Sequence, residues 1–154
     1  MKSRWKRMRF QLLVNLYPPY LGAGVRVTRI ADDFSAIEVE LRLRPWNRNY
    51  VGTHFGGSLF SMVDPFFMIM LIELLGTGYV VWDKVGTIRF RRPGLGTVRA
   101  RLEISPERVQ EIRQAADSAG KVEPTFRVEI LDAQGEVVAE VEKLISVKRA
   151  IRGA

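Results

Sequence analysis

Hydrophobic and polar residues alternate along several short segments, a pattern typical of strands that bury one face. Between Ala36 and Arg44, the side chains of Ile37, Val39 and Leu41 point to one side, and the residues between them are charged. Similar alternation, bounded by turn-forming residues, predicts five further strands. They cover residues 25–30, 84–92, 97–104, 125–131 and 137–147.

Two pairs of these strands are joined by short links of turn-forming residues. The sequence PGLG connects residues 84–92 to residues 97–104, and the sequence DAQG connects the last two strands. Short links that contain glycine are typical of antiparallel hairpins. We therefore expect each of the two pairs to form a hairpin.

The segment from Gly57 to Gly76 is apolar on nearly all sides and predicts a long buried helix. It is also about as long as a membrane span. Asp64, Pro65 and Glu73 interrupt it, however, and a central aspartate costs about 2.5–3.5 kcal/mol on membrane insertion. We interpret the segment as a core helix and expect no stable membrane insertion.

A second helix is predicted on the surface, directly after the fourth strand. Ser105 is a suitable N-cap, Pro106 suits the first turn, and Glu107 complements the helix dipole. Gly120 marks the end of this helix.

Residues 2–16 predict a basic amphipathic helix at the N-terminus. Trp5, Met8, Leu12 and Leu16 recur at spacings of three and four, with basic residues between them. Such a stripe can contact a membrane surface or an acidic partner, or it can pack on the domain while the polar face is solvated. We favour packing on the domain.

Six strands with one strongly apolar helix predict an α+β fold. A sheet with one apolar face must cover that face, and the long helix is the element apolar enough to do so. The expected architecture is a six-stranded antiparallel sheet wrapped around a long central helix, with a surface helix and an N-terminal helix. We expect one domain over residues 1–154, in which residues 1–20 form a basic helical extension.

The composition excludes several kinds of site. The chain has no cysteine and one histidine, which excludes disulfides, thiolate catalysis, and zinc sites built from cysteines or several histidines. We expect neither a metal nor a cofactor. The basic N-terminus is not followed by the apolar core and cleavage site of an export signal, and we expect a cytoplasmic protein.

The formal net charge of +7 favours anionic partners. Arg89, Arg91, Arg99 and Arg101 lie on the polar faces of two predicted strands, where they could bind nucleic acid or pair with glutamates of neighbouring strands. No helix-turn-helix, zinc motif or RNA-binding aromatic pattern accompanies them. We favour a charge-paired face and expect no nucleic-acid partner. The available glutamates are Glu38, Glu40, Glu129, Glu140 and Glu142.

The stretch THFGGSLFSMVD places a candidate site at the start of the core helix. Gly56 and Gly57 precede the helix, and Asp64 follows Gly57 by seven residues, which puts it on the same helical face about 10 Å along the axis. The free N–H groups of a first turn can stabilise an oxyanion. A carboxylate beside such a group suffices for acyl transfer, by attack on the carbonyl or by activation of water.

The run NRNYVGTHFGGSLFSMVD resembles the signature of hot-dog-fold acyl-CoA thioesterases of the phenylacetyl-CoA type. Those proteins show an asparagine, then Gly-x-x-His-Gly-Gly, then an aspartate seven residues after the second glycine. The predicted order of elements from Val25 to Lys148 is also similar. The resemblance implies a hot-dog fold that hydrolyses acyl-CoA without a cofactor. It also implies a homodimer or a dimer of dimers, with each site between two subunits.

The resemblance further implies roles for individual residues. Asp64 would be the nucleophile or the general base, and the Gly57 amide would form the oxyanion hole. His54 and Asn49, or Asn47, would orient the thioester or the water. Basic surface residues would hold the phosphates of coenzyme A. The implied substrate-binding residues are Asn47, Phe55, Gly56, Arg89 and Arg91.

Two residues depart from the family pattern. Phe55 is inserted between His54 and the glycine pair. Pro65 follows Asp64, and a proline this deep in a helix removes the hydrogen bond to the Ser61 carbonyl and kinks the axis. These departures keep a second interpretation open, in which the same pocket binds acyl-CoA without catalysis. Asp64 and His54 would then be hydrogen-bonded structural residues.

Overall fold

The structure is a computed structural model that describes residues 2–150, with side chains described from residue 4 onward. Within that range an antiparallel sheet has the strand order β1-β2-β4-β6-β7-β3, and the short β5 pairs with β7. The strands are β1 (Val25–Ile30), β2 (Ala36–Arg42), β3 (Tyr79–Phe90), β4 (Thr97–Glu103), β5 (Lys121–Val122), β6 (Thr125–Leu131) and β7 (Val137–Arg149). The helices are α1 (Lys2–Asn15), α2 (Pro18–Ala23), α3 (Gly56–Ser61), α4 (Phe66–Leu75) and α5 (Pro106–Ala119).

The apolar face of the sheet packs against the central helix, as the sequence predicts. Phe66, Phe67, Met70 and Leu71 of α4 are fully buried against inward-facing residues of the strands. Within the described residues, Gly56–Leu75 is the one helical segment long and apolar enough to cross a membrane. Here the segment forms the core, because the sheet covers its most apolar side.

The central helix is broken between α3 and α4 rather than continuous. The amides of Val63 and Asp64 both donate to the carbonyl of Phe60, and Pro65 has no N–H to continue the series. Helical hydrogen bonding resumes with Ile69, whose amide donates to the Pro65 carbonyl over 3.0 Å. The proline therefore interrupts the helix at Asp64, as its position in the sequence predicts.

The expected hairpin of residues 84–92 and 97–104 is wrong. β3 pairs with β7, whereas β4 lies between β2 and β6. The link between β3 and β4 is fixed to other elements, because the Gly94 carbonyl accepts from the His54 amide and the Gly96 carbonyl accepts from the Leu43 amide. The chain therefore crosses between two parts of the sheet here. The second expected hairpin, β6 with β7, is confirmed.

Helix α1 packs on the domain through a different face from the expected one. Phe10 and Val14 contact the core, and the Phe10 ring lies edge-on to Phe34 at 5.8 Å between centroids. The side chain of Asn15 bonds both the amide and the carbonyl of Val27, and Gln11 donates to the Val27 carbonyl. These polar side chains cover the edge strand β1, whose outer backbone groups would otherwise lack protein partners.

The predicted stripe of α1 consequently faces away from the domain. The exposed fractions of its residues are 65% for Trp5, 56% for Met8, 60% for Leu12 and 57% for Leu16. The expectation that this stripe packs on the domain is therefore wrong. We call these four residues the α1 stripe.

The polar face of the sheet is charge-paired, as predicted. Arg101 donates to Glu38 over 2.8 Å, and Arg91 donates to Glu140 through two nitrogens. Arg89 is the register partner of Glu140 on β7. Most of the basic charge of the strands is thus balanced locally.

Candidate functional site

Asp64 lies at the break in the central helix and carries a partly exposed carboxylate. Its Oδ1 accepts a hydrogen bond from Lys143 Nζ at 2.5 Å, while 43% of its side chain is exposed. Asp64 is therefore fixed by one ion pair and still open to solvent. A carboxylate in this condition can receive a proton or act as a nucleophile.

Lys143 is a buried cation that the sequence interpretation missed. It occupies a core-facing position of β7, between Val141 and Ile145, and only 3% of its side chain is exposed. Its Nζ also lies 3.2 Å from Asp83 Oδ1 and 5.3 Å from the centroid of the Phe60 ring. A buried ammonium is costly unless carboxylates compensate it.

Asp64, Asp83 and Lys143 together form a carboxylate–lysine cluster between the helix break and strands β3 and β7. Burial raises the pKa of Asp83, the charge of Lys143 opposes that rise, and the charge of Asp64 adds to it. Two carboxylates thus share one ammonium. The sequence signal for the cluster was a lysine at an inward position of β7, between Val141 and Ile145.

Tyr20 of α2 lies close to the same cluster. Burial, and next the negative charge of Asp64, raise the pKa of Tyr20, so its phenol stays protonated. The hydroxyl is buried without a hydrogen-bond partner among the described residues, and the ring lies 6.1 Å from that of Phe66. This buried hydroxyl therefore has a hydrogen bond left to donate.

The glycine pair starts α3, as the sequence predicts. Phe55 is the extended residue before the helix, and its carbonyl accepts from the amides of Ser58 and Leu59. The Gly56 and Gly57 amides belong to the first turn, where helix geometry provides no acceptor. A Cβ on Gly57 would lie 2.5 Å from the Phe55 ring, and one on Gly56 would lie 2.7 Å from the Phe90 ring. Aromatic rings therefore pack directly on both glycines.

Each glycine lines a different surface cleft. Gly57 lines a cleft of about 460 Å³ together with Phe55, Ser61 and residues of the preceding loop. Gly56 lines a second cleft of about 440 Å³. Asp64 belongs to neither set of lining residues. Within one chain, the predicted acid and the predicted oxyanion hole therefore do not share a cleft.

The ring of His54 fixes the link between β3 and β4. Its Nε2 lies 3.0 Å from the Gly96 carbonyl, which can only accept, so Nε2 carries the proton. Burial lowers the pKa of His54, and the Gly96 carbonyl opposes that change. The Nδ1 atom is buried with no partner among the described residues. Nδ1 of the neutral imidazole therefore has a lone pair that no described residue uses.

The two candidate asparagines organise the loop before α3. Asn47 Oδ1 accepts from the Arg44 amide at 2.6 Å, and its Nδ2 donates to the carbonyls of Ala23 and Arg42. Asn47 is buried and lines the Gly57 cleft. Both N–H groups of its side-chain amide donate to backbone carbonyls.

Asn49, two residues further along the loop, also binds backbone groups through its side chain. Its Oδ1 accepts from the amides of Val51 and Thr53. Its Nδ2 donates to Thr53 Oγ1 and to the His54 carbonyl. Asn49 lines the Gly56 cleft, and its hydrogen bond to the His54 carbonyl helps to position His54.

The two candidate arginines lie on β3 and in the link that follows it. Arg91 lines the Gly56 cleft together with Arg92, Asn49 and His54. Arg89 lines a separate groove on the charged face of the sheet. The structure thus brings Arg91, His54, Asn49 and Gly56 together, and it separates them from Asp64. Among the described residues, no group of three or more histidines and carboxylates is placed to hold a metal ion.

Comparisons with known proteins agree with this architecture. The family model described as "Domain of unknown function (DUF4442)" matches residues 6–147. A protein of unknown function from Pseudomonas aeruginosa, named a probable thioesterase, is 23% identical with a TM-score of 0.81, covering 94% of this chain and 96% of that one. No curated protein sequence matches the chain.

Two further solved structures are more distant. A thioesterase from Haemophilus influenzae is 14% identical with a TM-score of 0.63, covering 88% of this chain and 86% of that one. The PaaI protein from the phenylacetic acid degradation operon of E. coli is 18% identical with a TM-score of 0.63, covering 97% and 95%. The chain therefore belongs to the family described as domain of unknown function DUF4442, and its fold is the hot-dog fold.

Proposed function

We propose that the protein is a cytoplasmic acyl-CoA thioesterase in which Asp64 is the general base or the nucleophile. One observation carries the proposal. A carboxylate emerges at the break of the core helix, is fixed by the buried Lys143 at 2.5 Å, and keeps 43% of its side chain exposed. The exposure leaves the second carboxylate oxygen accessible to a water molecule, as general-base catalysis requires.

The proposed reaction uses Asp64 and a first-turn amide. A water oxygen attacks the thioester carbonyl carbon and loses a proton to Asp64, while the Gly57 N–H donates to the developing oxyanion. The carbon–sulfur bond then breaks, and the thiolate takes the proton back from Asp64. The products are a carboxylic acid and a free thiol. Lys143 orients the carboxylate through Oδ1, which leaves the other oxygen for the water.

We further propose that the complete site forms between two copies of the chain. Strand β3 ends the strand order, so one of its edges is unpaired, and it exposes Val80, Trp82, Val85 and Phe90. A long apolar edge favours pairing with another strand. Asp83 of the carboxylate–lysine cluster lies on β3, and the Phe90 ring of β3 covers Gly56. Pairing through β3 would therefore bring the acid of one subunit towards the glycines of the other.

Arg91 and Arg92 are suited to hold the phosphates of coenzyme A. Both line the Gly56 cleft, and each is half exposed while paired with a glutamate. Guanidinium groups bind phosphate through two parallel hydrogen bonds. If this role is correct, Arg91→Gln raises KM for an acyl-CoA and leaves KM for the matching acyl-pantetheine unchanged. An equal rise for both substrates would exclude it.

A non-catalytic acyl-CoA-binding role is the second candidate. Two observations favour it: Lys143 occupies one oxygen of Asp64, and the Phe55 ring packs on Gly57. Both contacts could restrict the reacting groups. In this case the clefts would bind acyl-CoA without releasing thiol.

The test is thiol release from a panel of aliphatic and aromatic acyl-CoAs, measured together with acyl-CoA binding by calorimetry. Turnover that requires Asp64 supports the thioesterase. Tight binding without turnover supports the binding protein. Neither binding nor turnover would contradict both candidates.

A further inference from the structure

The N-terminal helix exposes an apolar surface that neither the sheet nor the other helices cover. The α1 stripe lies opposite Phe10 and Val14, the residues through which the helix contacts the core. Tyr17 and Leu21, which follow in the next turn and in α2, are each 54% exposed. The apolar surface therefore continues from α1 into α2. Contiguous exposed apolar residues of this extent mark an interaction surface.

Basic side chains flank this apolar surface. Arg4 lies on one side of the α1 stripe by helical spacing, and Lys6 lies on the other side, where its ammonium is paired with Glu73. The guanidinium of Arg9 lies 5.6 Å from the centroid of the Trp5 ring, and so covers one end of the stripe. The first 31 residues contain no aspartate or glutamate. An apolar centre between cations on one exposed helical face suits a partner that is apolar inside and anionic at its surface.

We propose that the α1 stripe docks on the surface of an anionic lipid bilayer. The helix lies in the plane of the interface, with Trp5, Leu12 and Leu16 inserted among the acyl chains at the headgroup boundary. Arg4 and Arg9 extend from the sides of the helix to lipid phosphates. The helix does not span the bilayer, because its opposite face stays on the domain through Phe10.

A second copy of this chain is a poorer partner for the same face. Lys6 and Arg7 are already paired with Glu73 and Asp32, but pairing two α1 stripes would bring Arg4 and Arg9 of both copies together without any carboxylate from this segment to balance them. The exposed edge of β3, in contrast, lies at the other end of the strand order from β1, on which α1 packs. Dimers formed through β3 therefore leave the α1 stripe free for the bilayer. The proposal does not depend on the thioesterase reaction.

The experiment measures co-sedimentation of the full chain with vesicles. One set of vesicles contains equal parts of phosphatidylcholine and phosphatidylglycerol, and the other contains phosphatidylcholine alone. The variants are Leu12→Gln with Leu16→Gln, and Arg4→Gln with Arg9→Gln. Leu95→Gln is the matched control, because Leu95 is 61% exposed in the β3–β4 link. Circular dichroism confirms that each variant is folded, and these exposed positions leave the core unchanged.

We expect binding to the anionic vesicles that salt weakens, with much weaker binding to phosphatidylcholine. The leucine variant should lose at least about tenfold in partitioning, and the arginine variant about fivefold per residue. Leu95→Gln should bind like the unchanged protein.

Absence of binding to anionic vesicles, or binding that the leucine variant retains in full, would overturn the proposal. So would a drop in oligomer mass of the leucine variant without any vesicle binding, which would identify a second copy as the partner. Binding to a DNA duplex in preference to the anionic vesicles, retained by the leucine variant, would likewise overturn it.

Discussion

Lys143 Nζ lies 2.5 Å from Asp64 Oδ1, so a buried cation of β7 meets a partly exposed carboxylate at the break of the core helix. Pro65 creates the break that directs Asp64 to this place, and the inward register of β7 supplies the lysine. Asp83 adds a second carboxylate to the same ammonium. The arrangement gives one acid a fixed position and an ionic partner without closing it to solvent.

The first prediction concerns Lys143→Met, which keeps the buried stem and removes the charge. We expect kcat/KM for thiol release to fall about 10- to 100-fold, because Asp64 loses the contact that orients it. The acid side of the pH–rate profile should also move to higher pH, because two neighbouring carboxylates lose the cation between them. Steady-state rates across the pH range provide the measurement.

Lys84→Met is the matched control for this substitution. Lys84 also lies on a strand of this sheet, but its partner is Glu123, outside the carboxylate–lysine cluster. It should retain both the rate and the pH profile. If Lys143 had only a structural role, Lys143→Met would be less stable. The pH–rate profile of the variant that remains folded would then not shift.

The second prediction concerns the dependence of stability on pH. Burial raises the pKa of Asp83 above its ordinary value of 3.8, so the folded protein binds its proton more tightly than the unfolded chain. The proton on Asp83 therefore contributes stability at low pH, and this contribution is lost as pH rises through the pKa of Asp83 in the folded protein. Asp83→Asn resembles the protonated acid at every pH. Its free energy of unfolding, relative to the unchanged protein, should increase as pH rises from 3.8 to neutrality.

Urea denaturation of the two proteins between pH 3.5 and 7.5 measures this difference directly. Subtracting one free energy of unfolding from the other removes the contributions of the carboxylates that do not interact with Asp83. A difference that stays constant with pH, or decreases, would mean that Asp83 is not held in the environment described.

The third prediction concerns Asn47. Its side chain bonds the Arg44 amide and the carbonyls of Ala23 and Arg42. Asn47→Ala should lower the free energy of unfolding by about 2–4 kcal/mol, because these backbone groups lose a buried partner. Chemical denaturation measures it. A loss of activity without a loss of stability would instead assign Asn47 to the substrate, as the family resemblance implies.

The fourth prediction concerns assembly through β3. Trp82 is 67% exposed on this edge strand. Trp82→Glu should convert the proposed dimer into monomers and abolish thiol release along with the shared site. Trp5→Glu is the matched control, because it places the same change on the α1 stripe. Sedimentation equilibrium gives the masses. A Trp82→Glu dimer with full activity would show that β3 is not the interface.

Most elements of the fold could be predicted because each has a local signal. The alternation of apolar and polar residues predicted the first and last residues of β1 and β6 correctly. Ser105, Pro106 and Gly120 marked the ends of α5. Strand pairing had no such signal. The PGLG link was short enough for a hairpin, and only the contacts of Gly94 and Gly96 with distant loops explain why β3 and β4 separate. Those contacts depend on residues far away in the sequence.

The candidate site was predictable only in part for a similar reason. Asp64 and the glycine pair stand in a local motif, and the structure places the glycines at the start of α3 and Asp64 at the break between α3 and α4. The face of α1 was misjudged because the stronger apolar stripe was taken as the buried one. Phe10 and Val14 bury the opposite face, and Asn15 and Gln11 attach the side of the helix to β1. Lys143 did have a signal, since the alternation of β7 directs it inward between Val141 and Ile145. Its partners, however, come from two other elements.

The most direct test of the proposed function compares Asp64→Asn with Asp83→Asn. Both replace a carboxylate that contacts the same ammonium, so their effects on charge and packing are closely matched. With an acyl-CoA that the unchanged protein hydrolyses, we expect Asp64→Asn to lower kcat at least about 100-fold and Asp83→Asn to keep most of the activity. Equal rates for Asp64→Asn and the unchanged protein would contradict the account.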